Sequence, residues 1–182
     1  MLGNSIWMYP AFIGTAISVL GLTWLAKWLY DPKMPRTLSE MATISPQAML
    51  VFRAVTLPCS VLFALTSLLF IAPQTSLSFW ISLAAILMCG SEIIVIIFPA
   101  SGQSKLWHNI LAYTMGFAMI GLAYLFAQAL NGSARMAEYI TITAMIIFAI
   151  GILTDRRRFI FYELPYIYLS HLSILIAVVS LH

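Results

Sequence analysis

Charge is scarce in this sequence. Of 182 residues, 9 are Lys or Arg and 6 are Asp or Glu, 8% in all, against 62% hydrophobic residues. Soluble domains carry about 25% charged residues. A chain this poor in polar groups cannot cover a water-facing surface, so its solvent is lipid. The few cations sit in connections rather than along one helix face, so the net charge of +3 does not describe a nucleic-acid binder. Cysteine is nearly absent too. Cys59 and Cys89 fall inside apolar runs, where thiols act as small apolar residues rather than as a disulfide framework. No basic residue precedes Lys27, so the positive start of a secretory signal is missing. The first apolar run therefore reads as an uncleaved span with its N-terminus outside.

Several chemistries fail on the same count of missing residues. There is no CxxCH haem attachment site, and His108 and His171 differ by ~12 Å in depth at ~1.5 Å rise per residue, so they do not suit one haem. Lys27, Lys33 and Lys105 lie at span ends or in connections, which leaves no lysine for a retinal-type Schiff base. Paired thiolates or imidazoles at zinc spacing are absent, as are an HxxxH pair and the Gly-x-Ser-x-Gly elbow of serine hydrolases. No cofactor, no metal ligand and no catalytic residue is assigned on this reading.

What the chain does have is long apolar runs. Six are of the ~20-residue length that a spanning helix needs: residues 7–30, 46–72, 78–99, 104–130, 135–153 and 159–181. Breakers separate them: Asp31-Pro32 with Pro35, then Pro73, Pro99 with Gly102, Asn131-Gly132, and the charged stretch 155–158. The expected fold is all-α: a single membrane domain over residues 1–182, built as a bundle of six transmembrane helices. Short connections make consecutive helices antiparallel neighbours. Lys27, Lys33, Arg36, Arg53, Lys105, Arg156, Arg157 and Arg158 fall on one side and Arg135 alone on the other. The positive-inside rule makes the richer side cytoplasmic, with Met1 and His182 both non-cytoplasmic. Trp7, Tyr9, Trp28, Tyr30, Trp80, Trp107 and Tyr139 lie near span ends, as an aromatic belt does. The expected location is the cell (inner) membrane, in multi-pass form.

The first connection, residues 31–45, is the only long one. Its Thr37-Leu38-Ser39-Glu40 reads either as the start of a short amphipathic helix on the membrane surface or as an ordinary cytoplasmic loop. Gly14 with Ser18, and Ala112 with Gly116, are small residues four apart that let backbones approach, within the chain or in a homo-oligomer. No internal repeat is visible, which weighs against an inverted-repeat transporter.

Ionisable groups inside a bilayer cost several kcal/mol unless paired or hydrated, so their positions carry information. Arg53 and Glu92 lie ~10 Å from the cytoplasmic ends of their spans, and His108 and Glu163 ~6 Å. Four spans thus contribute to one level, and inward-facing side chains there would converge on a polar pocket open to the cytoplasm. Arg53 can offer a bidentate fork to Glu92 or Glu163, with His108 on the remaining carboxylate. Ser91, Asn109, Tyr162 and Tyr166 are further hydrogen-bonding candidates, and Tyr166 and Ser170 share the face of Glu163 at helical spacing. Pro58 and Pro165 remove backbone donors and kink their helices. The competing reading is structural: Arg53 and Glu163 snorkel to the interface, and an Arg–Glu pair only locks helices together. His171, ~18 Å into the last span, reads as an imidazole bonded to a neighbouring helix, as a proton relay or as a ligand for a cofactor.

Phe98-Pro99, a short polar connection, then His108-Asn109 opening the next helix resembles the centre of small six-helix proteins of the domain-of-unknown-function-998 family. Phe52-Arg53 early in the second span and Glu163 early in the last are similar to that group and to the related Frag1/DRAM-type proteins. Ala100 and Ser101 stand where that pattern has an acidic residue after Phe-Pro. The resemblance implies a bacterial or archaeal-type membrane protein without an assigned activity. Three functions remain in view. The leading one binds a small molecule or lipid headgroup in the cytoplasm-facing pocket, as a transporter-like or sensor protein, with Arg53, Glu92, His108, Glu163 and Tyr166 as ligand-binding residues. The second is an accessory or scaffold subunit of a larger membrane complex. The third is an intramembrane metal-dependent hydrolase. Expected partners are membrane lipids, membrane-protein subunits and a second copy of the chain.

Overall fold

The computed structural model describes residues 6, 8–31, 37–98, 102–155 and 158–182. Trp7, Pro32, Lys33, Pro35, Arg36, Pro99, Ala100, Ser101, Arg156, Arg157 and the N-terminal Met1 lie outside the described residues. The fold is all-α, and among the described residues six helices are long and apolar enough to cross a membrane. They are α1 (Met8–Leu29), α3 (Pro46–Thr66, prolonged to Gln74), α4 (Ser78–Ile97), α5 (Lys105–Ala129), α6 (Gly132–Thr154) and α7 (Phe159–Leu181). A seventh, α2 (Leu38–Ala42), is one short turn between α1 and α3.

Local chemistry sets the ends. Ser45 caps α3 by accepting the Ala48 N–H at 3.1 Å, and Pro46 occupies the first turn, where its missing N–H costs nothing. Pro73 lies in the turn that ends the second span, but the break is gradual rather than abrupt. The helix loosens into a π-turn at Ser67–Ile71 and closes through a 3-10 turn at Ala72–Gln74 that contains the proline. Between α5 and α6 the chain reverses in two residues, helped by Gly132 at φ 59°, a conformation that glycine adopts without steric cost.

The spans close into a ring in the order α1–α3–α4–α5–α6–α7, with α7 packing back on α1 and also reaching α5. Close seams occur where glycine lets helices approach: a Cβ on Gly21 of α1 would sit 2.7 Å from Val55 of α3, and one on Gly151 of α6 would sit 2.5 Å from the Tyr162 ring of α7. Gly14 faces Leu62 and Phe63, and Ser18 is buried, so this pair packs within the chain. Tyr9, Trp28, Tyr30, Trp80, Trp107 and Tyr139 are all exposed near helix ends, as interfacial aromatics are. The turns alternate, so α2, the α4–α5 connection and the α6–α7 connection share one end, called here the α2 end.

Candidate functional site

The site grows from α2. Thr37 and Glu40 form a capping box: the Thr37 hydroxyl accepts the Glu40 N–H at 3.0 Å, and the Glu40 carboxylate accepts the Thr37 N–H at 3.2 Å. That pair lets a five-residue helix form where intrinsic propensity alone would not hold one. Leu38, Met41 and Ala42 are each no more than 2% exposed. They join Leu22, Leu25, Phe52, Ile96 and Ile160 in one apolar cluster. The short amphipathic helix expected from Thr37 to Glu40 is therefore present, rather than an ordinary loop, but its apolar face is buried in the bundle instead of lying on a surface. Its spacing of i, i+3, i+4 lets it turn one apolar face into the bundle, and it roofs the α2 end.

Its polar face binds the spans. The Leu38 N–H donates to Glu163 Oε2 at 2.8 Å, Ser39 Oγ lies 2.9 Å from His108 Nε2, and Glu40 pairs with Lys105 at 3.2 Å. His108 is buried, and its Nδ1 lies 2.8 Å from the Phe98 carbonyl. A carbonyl only accepts, so Nδ1 carries the proton; in the neutral ring Nε2 then accepts the Ser39 hydroxyl. The hydroxyls of Thr37 and Ser39, 3.0 Å apart, complete a chain of donors from α2 through His108 to the end of α4.

Three cavities meet here. An open polar cleft of about 350 Å³ lies between α2, α5, α6 and α7 and is lined by Thr37, Ser39, Glu40, Lys105, His108, Asn109 and Glu163. Beneath α2 is an inner cavity of about 70 Å³, reached by Ser39, Thr56, Cys59, Glu92 and Glu163, large enough for water. A mainly apolar groove of about 140 Å³ runs from the cleft between α5, α6 and α7. Glu163 borders all three. Glu92, in contrast, lines only the inner one, beside the Ser60 hydroxyl.

The expected charge pairings are not made. Arg53 does not meet Glu92 or Glu163: its Nε donates to the Ile96 carbonyl at 3.2 Å and its terminal nitrogen to Ile97 at 3.0 Å. These carbonyls lie at the end of α4, and a guanidinium complements both the lone pairs of a helix's last carbonyls and the negative end of its dipole. Arg135 does the same at the far end of α5, donating to the Leu130 carbonyl at 2.7 Å. His108 likewise takes Ser39 and Phe98 rather than a carboxylate. Tyr166 is buried in the wall of the groove, and its hydroxyl donates to the Gly116 carbonyl. Tyr162 is pressed against Gly151. The His171 ring packs on Phe63 with centroids 4.5 Å apart, and its buried Nδ1 has no hydrogen-bond partner, so it is not bonded to a neighbouring helix through that nitrogen.

Two features escape the sequence reading. One is α2 as part of the site. The other is Glu138, which is fully buried near the far end of α6, with Oε2 accepting the Ser173 hydroxyl at 2.8 Å and Oε1 unpartnered. Because α6 starts at Gly132 rather than Arg135, Glu138 lies ~9 Å inside its helix. The signal that finds it is its place on the buried stripe with Thr141 and Met145, at i, i+3 and i+7. Among the described residues no three His, Cys, Asp or Glu side chains gather as a metal site requires. No family model matches the chain, and no curated protein or solved structure matches it.

Proposed function

We propose that this polytopic membrane protein binds a small molecule or a lipid headgroup in a polar cleft that faces the cytoplasm, in a transporter-like or sensing role. The observation that carries the reading is the position of Glu163, a carboxylate at the common border of an open cleft, an inner cavity and an apolar groove. Ser39, Asn109 and Lys105 add hydrogen-bonding groups to the same walls. A small number of polar groups fixing orientation within a concave, partly apolar site is the usual design of ligand pockets. In this reading His108 positions α2, Arg53 fixes the end of α4, and Glu92 is the polar group that a ligand or ion meets after α2 moves. The cytoplasmic assignment rests on the cation count.

Native mass spectrometry of the protein, extracted gently from its own membrane, tests the reading. The expected spectrum carries a bound small molecule or lipid that is retained by the wild type and lost from Glu163→Gln. A bare chain, or a spectrum dominated by other proteins in fixed ratio, contradicts it; the latter result favours an accessory subunit.

A further inference from the structure

Resting on that reading, the shape and charge of the cleft narrow the ligand class. We propose that the polar cleft and the groove between α5, α6 and α7 form one site for a single-chain amphiphile with an amine headgroup: the amine on Glu163, the hydrocarbon chain along the groove.

Continuity is the first argument. Six residues, including Ala112, Tyr113, Leu153 and Glu163, line both the cleft and the groove. From Ala112 at this junction to Ile120 at the deep end, the groove follows α5 for eight residues, ~12 Å at ~1.5 Å rise per residue. Its far part is formed by Gly116, Phe117, Ile120 and Ala149 and has no charged side chain beyond Glu163 at its mouth. Gly116 keeps the floor low: a Cβ there would meet only the Tyr166 hydroxyl, at 3.8 Å. Phe117 is 70% exposed on the rim, so the groove opens sideways to the surface that lipid covers. A small water-soluble ligand would have no use for such a side opening; a chain entering from the bilayer would.

Charge is the second argument. The described cleft wall carries Glu40, Lys105 and Glu163 as its formally charged groups. Lys105 is already taken by Glu40 at 3.2 Å. Glu163 accepts one backbone N–H, from Leu38, on Oε2, and among the described residues no cation pairs with it. A carboxylate at the edge of an apolar groove favours a group that brings a positive charge and several N–H donors, which is what a primary ammonium supplies.

The test reconstitutes the full chain in phosphatidylcholine vesicles with a trace of a single-chain primary amine carrying a diazirine midway along its chain. After irradiation, adducts are located by peptide mass spectrometry. The expected adducts concentrate on Phe117, Ile120 and Ala149, at least tenfold over Leu20, an equally lipid-facing residue on α1. An excess of the unlabelled amine should displace them at least tenfold better than a carboxylate of the same chain length. Gly116→Leu, and independently Ala149→Phe, should remove the groove adducts and leave those on Leu20. Adducts confined to Tyr113 at the mouth, lost in Glu163→Gln but unchanged by either groove variant, overturn the chain placement and leave the polar-cleft reading standing. Adducts spread evenly over exposed residues and indifferent to Glu163→Gln overturn both. Equal competition by the carboxylate overturns the amine.

Discussion

At the α2 end, Glu163 receives a backbone N–H from Leu38 and borders three cavities. At the opposite end, Glu138 is fully buried, receives the Ser173 hydroxyl and borders none of these cavities. Both are carboxylates between about one and two turns inside a span, and both face the same physical demand, that a polar group out of water find a partner. The solutions differ. Glu138 is met by one side chain on the neighbouring α7 and is closed off, which is how a residue that joins two helices is held. Glu163 is met by the backbone of a five-residue segment that lies over an inner cavity, and one side of it stays open. Depth in the membrane alone therefore does not separate the two carboxylates; what surrounds each of them does.

The contrast can be broken most forcefully at the roof. Leu38 is 2% exposed in the cluster that seats α2, and Leu38→Ala should weaken that seat by about 2–5 kcal/mol, the usual range for a buried leucine. Cys59 is buried and lines the cavity beneath. In a Cys89→Ser background, a membrane-impermeant maleimide should label Cys59 at least tenfold faster once Leu38 is truncated. An unchanged rate would show that α2 does not close the cavity.

Next in size is the far-end pair. Ser173→Ala leaves Glu138 without its one donor and should cost about 1–3 kcal/mol, the penalty for stranding a buried polar group. Glu138→Gln keeps an acceptor for the serine and should cost less than Ser173→Ala, as judged by thermal unfolding in the same detergent. The reverse order would mean that the carboxylate charge, rather than its shape and acceptor, is what the far end needs. His108→Ala removes two hydrogen bonds at once, to Ser39 and Phe98, and should lose about 1–2 kcal/mol while also speeding Cys59 labelling. The smallest expected effect is at Arg53. Arg53→Lys keeps the charge at the end of α4 but loses the two-carbonyl fork, for a cost of about 1 kcal/mol, with no change in ligand retention. A loss of ligand there would return Arg53 to the recognition role expected from sequence.

The spans are legible because a lipid solvent forces long apolar runs, and the runs here are punctuated by Asp31, Pro73, Asn131 and the charges at 155–158. The level of Arg53, Glu92, His108 and Glu163 is legible because helical rise converts position into depth. Their partners are not. Pairing depends on how helices rotate and which ones touch around the ring, and nothing in the run pattern encodes that. Arg53 was within reach of two carboxylates on paper, yet two helix-end carbonyls, invisible as a sequence motif, hold it instead. The role of α2 was half legible: the Thr37–Glu40 box is a recognisable helix start, but its burial follows from the apolar face of Leu38, Met41 and Ala42, too short to register as a periodic stripe. Glu138 is hidden in the sequence because a span that starts at Arg135 leaves that carboxylate at the interface, whereas α6 starts three residues earlier, at Gly132.

The most direct test compares the two carboxylates in one experiment. Wild type, Glu163→Gln and Glu138→Gln are expressed in the same cells, extracted in the same mild detergent and weighed by native mass spectrometry. A bound small molecule or lipid is expected on wild type and Glu138→Gln, and its loss from Glu163→Gln, with all three proteins folded. Equal retention in all three, or loss from Glu138→Gln alone, would contradict that expectation.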